Sequence, residues 1–307
     1  MSAADVPGQA FTERLWAQLK PGVSFTEAIR GAMAPESRIL EIGPGAAPVF
    51  RRRDFPRLKV SDCCDTAELR RQLQSAYKLE TLPPDLFDDI DYVCADSRLA
   101  ECVPAGERFE LIFSSHNVEH QPDLLAHLRS LQALLDEDGA VALVVPHKQR
   151  TFDVFRPPTT TSDVLMTHYG PPGWKATQLA FDADSRSAIA PPGSTHLFGA
   201  SDPMALGDLG QAFERLQARL RGEATDLAYL HHHVFTPASM QALLIELYLL
   251  RQCDLLPCLC SGAVSNSFMI VLQEVPWPGD PAQAAVLRTR LEELRMEHYR
   301  KMAFQGG

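Results

Sequence analysis

The segment Arg38-Ile39-Leu40-Glu41-Ile42-Gly43-Pro44-Gly45-Ala46-Ala47-Pro48 restricts the fold of this chain more than any other. A short apolar run that ends in a carboxylate and passes at once into glycines and prolines predicts a buried parallel strand stopping in a tight loop under the next helix. Lacking Cβ atoms, Gly43 and Gly45 let the backbone turn sharply and let a ligand lie against bare peptide. A nucleoside-type cofactor is the natural guest of such a loop.

Two cofactor classes use loops of this kind. A dinucleotide fingerprint requires G-x-G-x-x-G, whose last glycine eases helix-to-strand packing over a pyrophosphate. Here that position is Pro48. Glu41, two residues before the first glycine, would oppose a pyrophosphate but suits a cationic group. The loop resembles motif I of class I S-adenosylmethionine-dependent methyltransferases, E/D-x-G-x-G-x-G, with Ala47 in place of the third glycine.

The rest of the chain is read with that loop as its origin. Helical spacing of Phe11, Leu15, Trp16 and Leu19 predicts a helix before Pro21-Gly22, and a second is expected from Ser24 to Met33. Leu58 to Asp62 reads as a second strand ending in an acid, about 20 residues after the glycines, where a ribose-binding carboxylate is expected. Asp65 and Glu68 follow closely, and the choice among the three acids stays open. Ile90 to Ser97 reads as a third strand finishing in the acid Asp96, Phe109 to His120 as a fourth running into a loop and a helix that extends through Leu124 and Leu135 to Gly139, and Ala140 to Pro146 as an apolar fifth. This alternation implies right-handed crossovers and a parallel sheet with helices on both faces, with ligands at the carboxyl ends of the strands.

The resemblance extends over residues 38 to 147. Ser114 to Asp123, SSHNVEHQPD, is similar to the S-x-x-x-E-H-x-x-D stretch after the fourth strand of small-molecule methyltransferases, and Leu135-x-x-x-Gly139 to the turn before the fifth. The segment from Val145 to Thr160 is similar to P-x-K-R-x-T-F-D-x-F-R of bacterial methyltransferases linked to glycan or secondary-metabolite assembly. The implied fold is an α/β, Rossmann-like, seven-stranded and mostly parallel sheet with helices on both faces and an insertion after strand five. Its expected divisions are N-terminal helices over 1–36, a cofactor-binding core over 37–150, a substrate lid over 151–235, completion of the sheet over 236–276 by an antiparallel strand pair, and a C-terminal helix over 277–307. That last helix should bury Leu287, Leu291, Leu294 and Tyr299.

Composition narrows the partners. A chain of 307 residues with net charge −10 lacks the concentrated Lys and Arg of a nucleic-acid surface. No apolar run is long enough to cross a bilayer and the N-terminus lacks a signal-peptide pattern, so a cytoplasmic protein without membrane contact is expected. A homodimer is one oligomeric state left open. Seven cysteines, an odd number, lie scattered, several in apolar runs. A zinc set drawn from Cys258, Cys260 and the His231-His232-His233 run lacks any paired C-x-x-C spacing, and no metal is assigned.

The resemblance implies transfer of a methyl group from S-adenosylmethionine. Glu41, Gly43, Gly45, Asp62, Asp96, Ser97, Ser114 and Ser115 are its expected cofactor-binding residues, with Asp96 near the adenine amino group. A hydroxyl acceptor needs a base near the fourth strand's end, and His116, His147 and His120 are the candidates, histidine being suited to that task near neutrality. Asn117, Asp153, Arg156, His168 and Tyr169 are expected to line the acceptor pocket. The expected reaction is O-methylation of a small molecule or glycan precursor. Its rivals are N-methylation of a small amine, a catalytically silent binding or scaffold protein, and a nicotinamide dehydrogenase, against which Pro48 counts.

Overall fold

The expected core strands are all present, but the helix expected after the glycine loop is not: residues 43–58 run from the first strand to the second through turns alone. The computed structural model describes residues 9–78, 80–189, 205–223 and 230–304. Helices α1 (Gln9–Gln18) and α2 (Phe25–Gly31) come first, α2 opened by a reciprocal cap between Ser24 and Glu27. Strand β1 (Ile39–Ile42) is followed by β2 (Lys59–Asp62), α3 (Thr66–Tyr77), β3 (Tyr92–Val93), the short α4 (Leu99–Cys102), β4 (Phe109–Ser115), α5 (Leu124–Leu134) and β5 (Leu135–Pro146). The insertion carries α6 (Thr161–Tyr169), α7 (Trp174–Arg186), a small hairpin of β6 (Ala188–Ile189) with β7 (Ala205–Leu206), and α8 (Leu209–Leu220). Helix α9 (Pro237–Leu249), β8 (Leu255–Cys260), β9 (Ser267–Glu274) and α10 (Pro281–Phe304) complete the chain.

The main sheet has seven strands in the order β3-β2-β1-β4-β5-β9-β8. The first five are parallel, while β9 runs antiparallel to both β5 and β8, as the sequence predicts. From β1 the chain builds outward to β3, then returns to place β4 on the other side of β1. The carboxyl ends of β1 and β4 therefore diverge, opening the crevice where open α/β sheets hold their ligands. Apolar side chains cover both faces of the sheet. One cluster joins Leu40, Ile112, Val141 and Ile270 to α5 and α9, and the other joins Ile39, Leu111, Phe113 and Met269 to α1 and α2.

Three further expectations need correction. The third strand is only Tyr92–Val93, so Asp96 lies in the loop after it rather than at its end. Strand β5 begins at Leu135, because the chain pairs Leu135 with Phe109 and resumes pairing at Ala140 after an irregularity. Helix α10 buries Leu291 but leaves Leu294 and Tyr299 exposed. It meets the domain along a narrow line through Leu291 and Leu287, against Ile245, Tyr248 and Leu256, and the Tyr299 hydroxyl donates to Glu246. No helix among the described residues is long and apolar enough to cross a membrane.

Candidate active site

At the end of β1 the backbone enters the left-handed region at Gly43 (φ +63°) and again at Gly45 (φ +53°), conformations that only glycine adopts cheaply. The Gly43 N–H donates to Ser61 O at 2.8 Å, tying the loop to β2. A Cβ at Gly43 would lie 2.8 Å from Asn117 Nδ2, whereas one at Gly45 would meet nothing within 4 Å. Gly45 thus offers bare backbone to open space.

Glu41 is 2% exposed, and its carboxylate accepts the backbone N–H groups of Val49 (2.7 Å) and Phe50 (3.1 Å). The far end of the loop is thereby drawn down onto β1. Burial outweighs these two bonds and pushes the Glu41 carboxyl up to about 7. Both oxygens serve the loop backbone, so Glu41 bears on a ligand through the shape of the loop.

At the end of β2, Asp62 is buried and accepts the Cys63 N–H at 2.7 Å, and burial raises its carboxyl above the usual range. Asp65 is taken up as the N-cap of α3, and Glu68 pairs with Gln72 and Arg71. Asp62 is the acid those local structures leave at the strand end. Asp96 is exposed and accepts the Arg98 N–H at 2.7 Å. Ser97 is buried, its hydroxyl accepting the Asp123 N–H at 3.1 Å, so it also holds the start of α5. On β4, Ser114 lies buried in register with Ile42, and the half-buried Ser115 follows it.

Beyond β4 the chain makes an unusual turn. His116 is a left-handed non-glycine residue (φ +51°), held by its N–H bond to Val144 O at 2.9 Å. Such backbone costs roughly 1–2 kcal/mol and leaves the ring 40% exposed. Its Nε2 lies 2.8 Å from Ser267 Oγ, and that hydroxyl in turn donates to Asn266 Oδ1 at 3.0 Å. A short 3-10 turn over Val118–His120 then directs Glu119 inward.

Glu119 is 1% exposed, and neither carboxylate oxygen has a hydrogen-bond partner. Around Oε1 stand His116 Nδ1 at 3.8 Å, His120 Nε2 at 3.8 Å and His231 Nε2 at 3.9 Å. Burial pushes the Glu119 carboxyl up to about 7 and the His120 imidazole down to about 4. Burial, with the nearby His231, also lowers His116. His231 Nδ1 donates to Asp153 Oδ2 at 2.6 Å, and Asp153 accepts from Arg156 at 2.7 Å, all three being buried. Burial would raise the Asp153 carboxyl, but His231 and Arg156 overcome it and hold the group below its usual range. The Phe152 ring lies over His231, with centroids 4.6 Å apart.

The remaining sequence candidates are dispersed. His147 is buried, accepts the Gln149 N–H at 3.2 Å and lines a cleft of about 410 Å³ with Pro237, Gln241 and Cys260. His168 pairs with Asp123 at 2.9 Å and with Arg129, while Tyr169 bonds Arg129 and Gln252. Both tie α6 to α5. Asn117 packs against Gly43 and accepts from Gln121 at 2.9 Å. Among the described residues, Cys258 and Cys260 join no histidine in a metal-competent cluster. Sequence reading gives Glu119 no role beyond its place in the E-H motif and weighs His231 only in a zinc set with Cys258 and Cys260. The signals were there, the E-H pair after Asn117 and the triple histidine run, but nothing local says that they meet.

A glycine loop pinned by a buried carboxylate, at the switch point of a parallel sheet that finishes in an antiparallel pair, is the arrangement of a class I S-adenosylmethionine-dependent methyltransferase. The sequence places it further: the chain belongs to the family of methyltransferase domains, which it matches over residues 9–244. No curated protein matches it. Among solved structures it is similar to the CcbJ methyltransferase from Streptomyces caelestis, with 13% identity, 88% of this chain and 91% of that chain covered, and a TM-score of 0.40. It is also similar to the DhpI-SAH complex, with 12% identity, 87% and 84% covered and a TM-score of 0.36. The CMeT domain of the citrinin polyketide synthase has 16% identity over 40% of this chain and 34% of that one, with a TM-score of 0.27.

Proposed function

We propose that this methyltransferase modifies a hydroxyl oxygen of a small molecule or glycan precursor, with His116 as the base. The observation that carries the reading is the His116 imidazole, half exposed on a left-handed backbone at the end of β4, beside the glycine loop's neighbour Asn117. Gly43, Gly45, Asp62, Asp96, Ser114 and Ser115 are the residues that would hold S-adenosylmethionine, with Glu41 and Ser97 fixing the loop and the helix beside them. The open backbone at Gly45 and the buried acid of Asp62 fit that guest. When bound, the cofactor supplies a methyl group on a sulfonium, an electrophile with its own driving force.

The chain's own tasks are then alignment, exclusion of water and removal of one proton. Ser267 accepts from His116 Nε2, which leaves the lone pair on Nδ1. That nitrogen takes the acceptor's proton, and the Glu119 carboxylate 3.8 Å away favours the resulting imidazolium. The insertion brings Phe152, Asp153 and His231 to the same place, which supports its reading as a cover over the acceptor. Asn117, Asp153 and Arg156 then shape that side.

Incubation with methyl-labelled cofactor and a panel of sugars, phenols and amines tests the proposal. Label on hydroxyl compounds supports it. Label on amines alone, or cofactor binding with no turnover on any acceptor, overturns it in favour of N-methylation or a silent binding protein. His116→Asn should lower kcat by roughly 10²–10⁴-fold with affinity for S-adenosylhomocysteine unchanged.

A further inference from the structure

The buried Glu119 carboxylate poses a problem of hydrogen bonding that the methyl-transfer chemistry does not solve. Both oxygens are acceptors without donors, in a place sealed from solvent. Each imidazole around it uses its other nitrogen as a donor. His120 Nδ1 lies 3.1 Å from Leu230 O, and a carbonyl can only accept. His231 Nδ1 lies 2.6 Å from the Asp153 carboxylate, which also accepts from Arg156 and is an acceptor here. With both rings neutral, the nitrogens that face Glu119, His120 Nε2 and His231 Nε2, carry lone pairs. Two lone pairs and a carboxylate converge where nothing donates to any of them.

Repulsion of this kind is relieved by a cation. The ligand atoms of Glu119, His120 and His231 lie within 4.8 Å of one another. Tetrahedral ligands about 2.0–2.1 Å from a zinc ion stand roughly 3.4 Å apart, so the observed 3.8 and 3.9 Å separations need close by only a few tenths of an ångström. The outer partners are those that metal-binding histidines commonly use: a carboxylate on His231 and a backbone carbonyl on His120. His233 pins the segment in place, its N–H donating to Glu119 O at 3.0 Å and its Nε2 to Gln121 O at 2.9 Å.

We propose that Glu119, His120 and His231 bind a divalent first-row transition-metal ion. Two imidazoles and one carboxylate suit zinc, cobalt, nickel or iron(II), and disfavour magnesium, which prefers an all-oxygen shell. Three protein ligands leave one or more positions open, as in catalytic rather than structural sites. His116 stays outside the set of mutually close ligand atoms and keeps its role as base. An ion here would lower the pKa of a hydroxyl offered to that base, a consequence that rests on the proposed acceptor class, whereas binding of the ion does not.

The test is titration of chelator-stripped, full-length protein with Co(II), followed by visible absorption and without cofactor. One equivalent should bind with the absorption of a nitrogen- and oxygen-ligated ion, Zn(II) should displace it, and Mg(II) should not compete. Glu119→Gln and His231→Asn should each weaken binding by at least about tenfold. If circular dichroism shows that either buried variant fails to fold, His120→Asn, on a less buried side chain, carries the comparison. Absence of Co(II) absorption in the wild type, or equal binding by the wild type and His120→Asn, overturns the site and means that a proton on Glu119 takes the ion's place. Calorimetry with S-adenosylhomocysteine on the same samples reads the cofactor site separately, so the two proposals fail independently.

Discussion

Glu41 Oε1 accepts the backbone N–H of Val49 at 2.7 Å, joining the last turn of the glycine loop to the strand that precedes it. The residue that the motif offers as a charge for the ligand is, in the fold, the fastener of the loop. Glu41→Gln replaces one accepting oxygen by a donor that faces a backbone N–H, and should cost about 1–3 kcal/mol and weaken cofactor binding. Urea denaturation and calorimetry with S-adenosylhomocysteine measure the two effects.

The same substitution should change the pH dependence of stability. The folded Glu41 carboxyl, at about 7, lies above its unfolded value, so its contribution is fully present below pH 4.5 and is lost as pH rises through 7. That loss amounts to about 3 kcal/mol, and the Gln variant should lack it. Glu119 titrates in the same window, so the downward slope between pH 4.5 and 7 should shrink in the variant rather than vanish. Denaturation midpoints across that range provide the check.

Gly43 and Gly45 should respond differently to alanine. At Gly45 the cost is left-handed strain alone, roughly 1–2 kcal/mol, because a Cβ there meets nothing. At Gly43 the new methyl must also displace Asn117, whose amide is held by Gln121. Gly43→Ala should therefore be the more damaging of the two, and Asn117→Ala added to it should bring its cost back towards that of Gly45→Ala. A double-mutant cycle on unfolding free energies settles the comparison.

Asp153→Asn should be severe. It leaves the Arg156 guanidinium buried without its carboxylate and weakens the bond to His231. Breaking a buried pair from one side costs about 3–5 kcal/mol. Thermal and urea unfolding should both show it, and Arg156→Met should be the milder change because His231 still donates to the Asp153 carboxylate that remains.

His127, on the buried face of α5, should make the protein sensitive to acid. Burial holds its imidazole down at about 4, below the unfolded value of 6.5. A depressed histidine contributes stability that is complete above pH 6.5 and is lost as pH falls through 4, at most about 3 kcal/mol. His127→Leu should flatten the acid limb of the stability profile measured between pH 6.5 and 4.

The order of strands and helices was legible in the sequence because its signals are local. Apolar runs ending in Glu41 and Asp62 mark the ends of their strands, whereas the run to Asp96 overshoots a strand that stops at Val93. Thr236-Pro237 marked the start of α9, where the structure shows the cap bond from Ser239. Such patterns depend on residues within one turn or one strand of each other. The breadth of the buried face on α10 was not legible, since periodicity defines a stripe but not the width of the surface that receives it. His116 was identified from its position after β4, but its left-handed backbone and its bond to Ser267 were not.

By itself, then, the sequence determined the class of fold, the glycine loop and the strand ends at which ligands gather. Tertiary structure alone decided the partners: Glu41 turned onto the loop backbone, His147 placed in a cleft with Pro237 and Cys260, and His231 brought from the far end of the insertion to the Glu119 carboxylate. The reason is physical. Hydrophobic period and capping act between near neighbours, whereas the convergence of buried polar groups is set by how crossovers and an insertion fold back, and segments so far apart in the chain carry no local mark of one another.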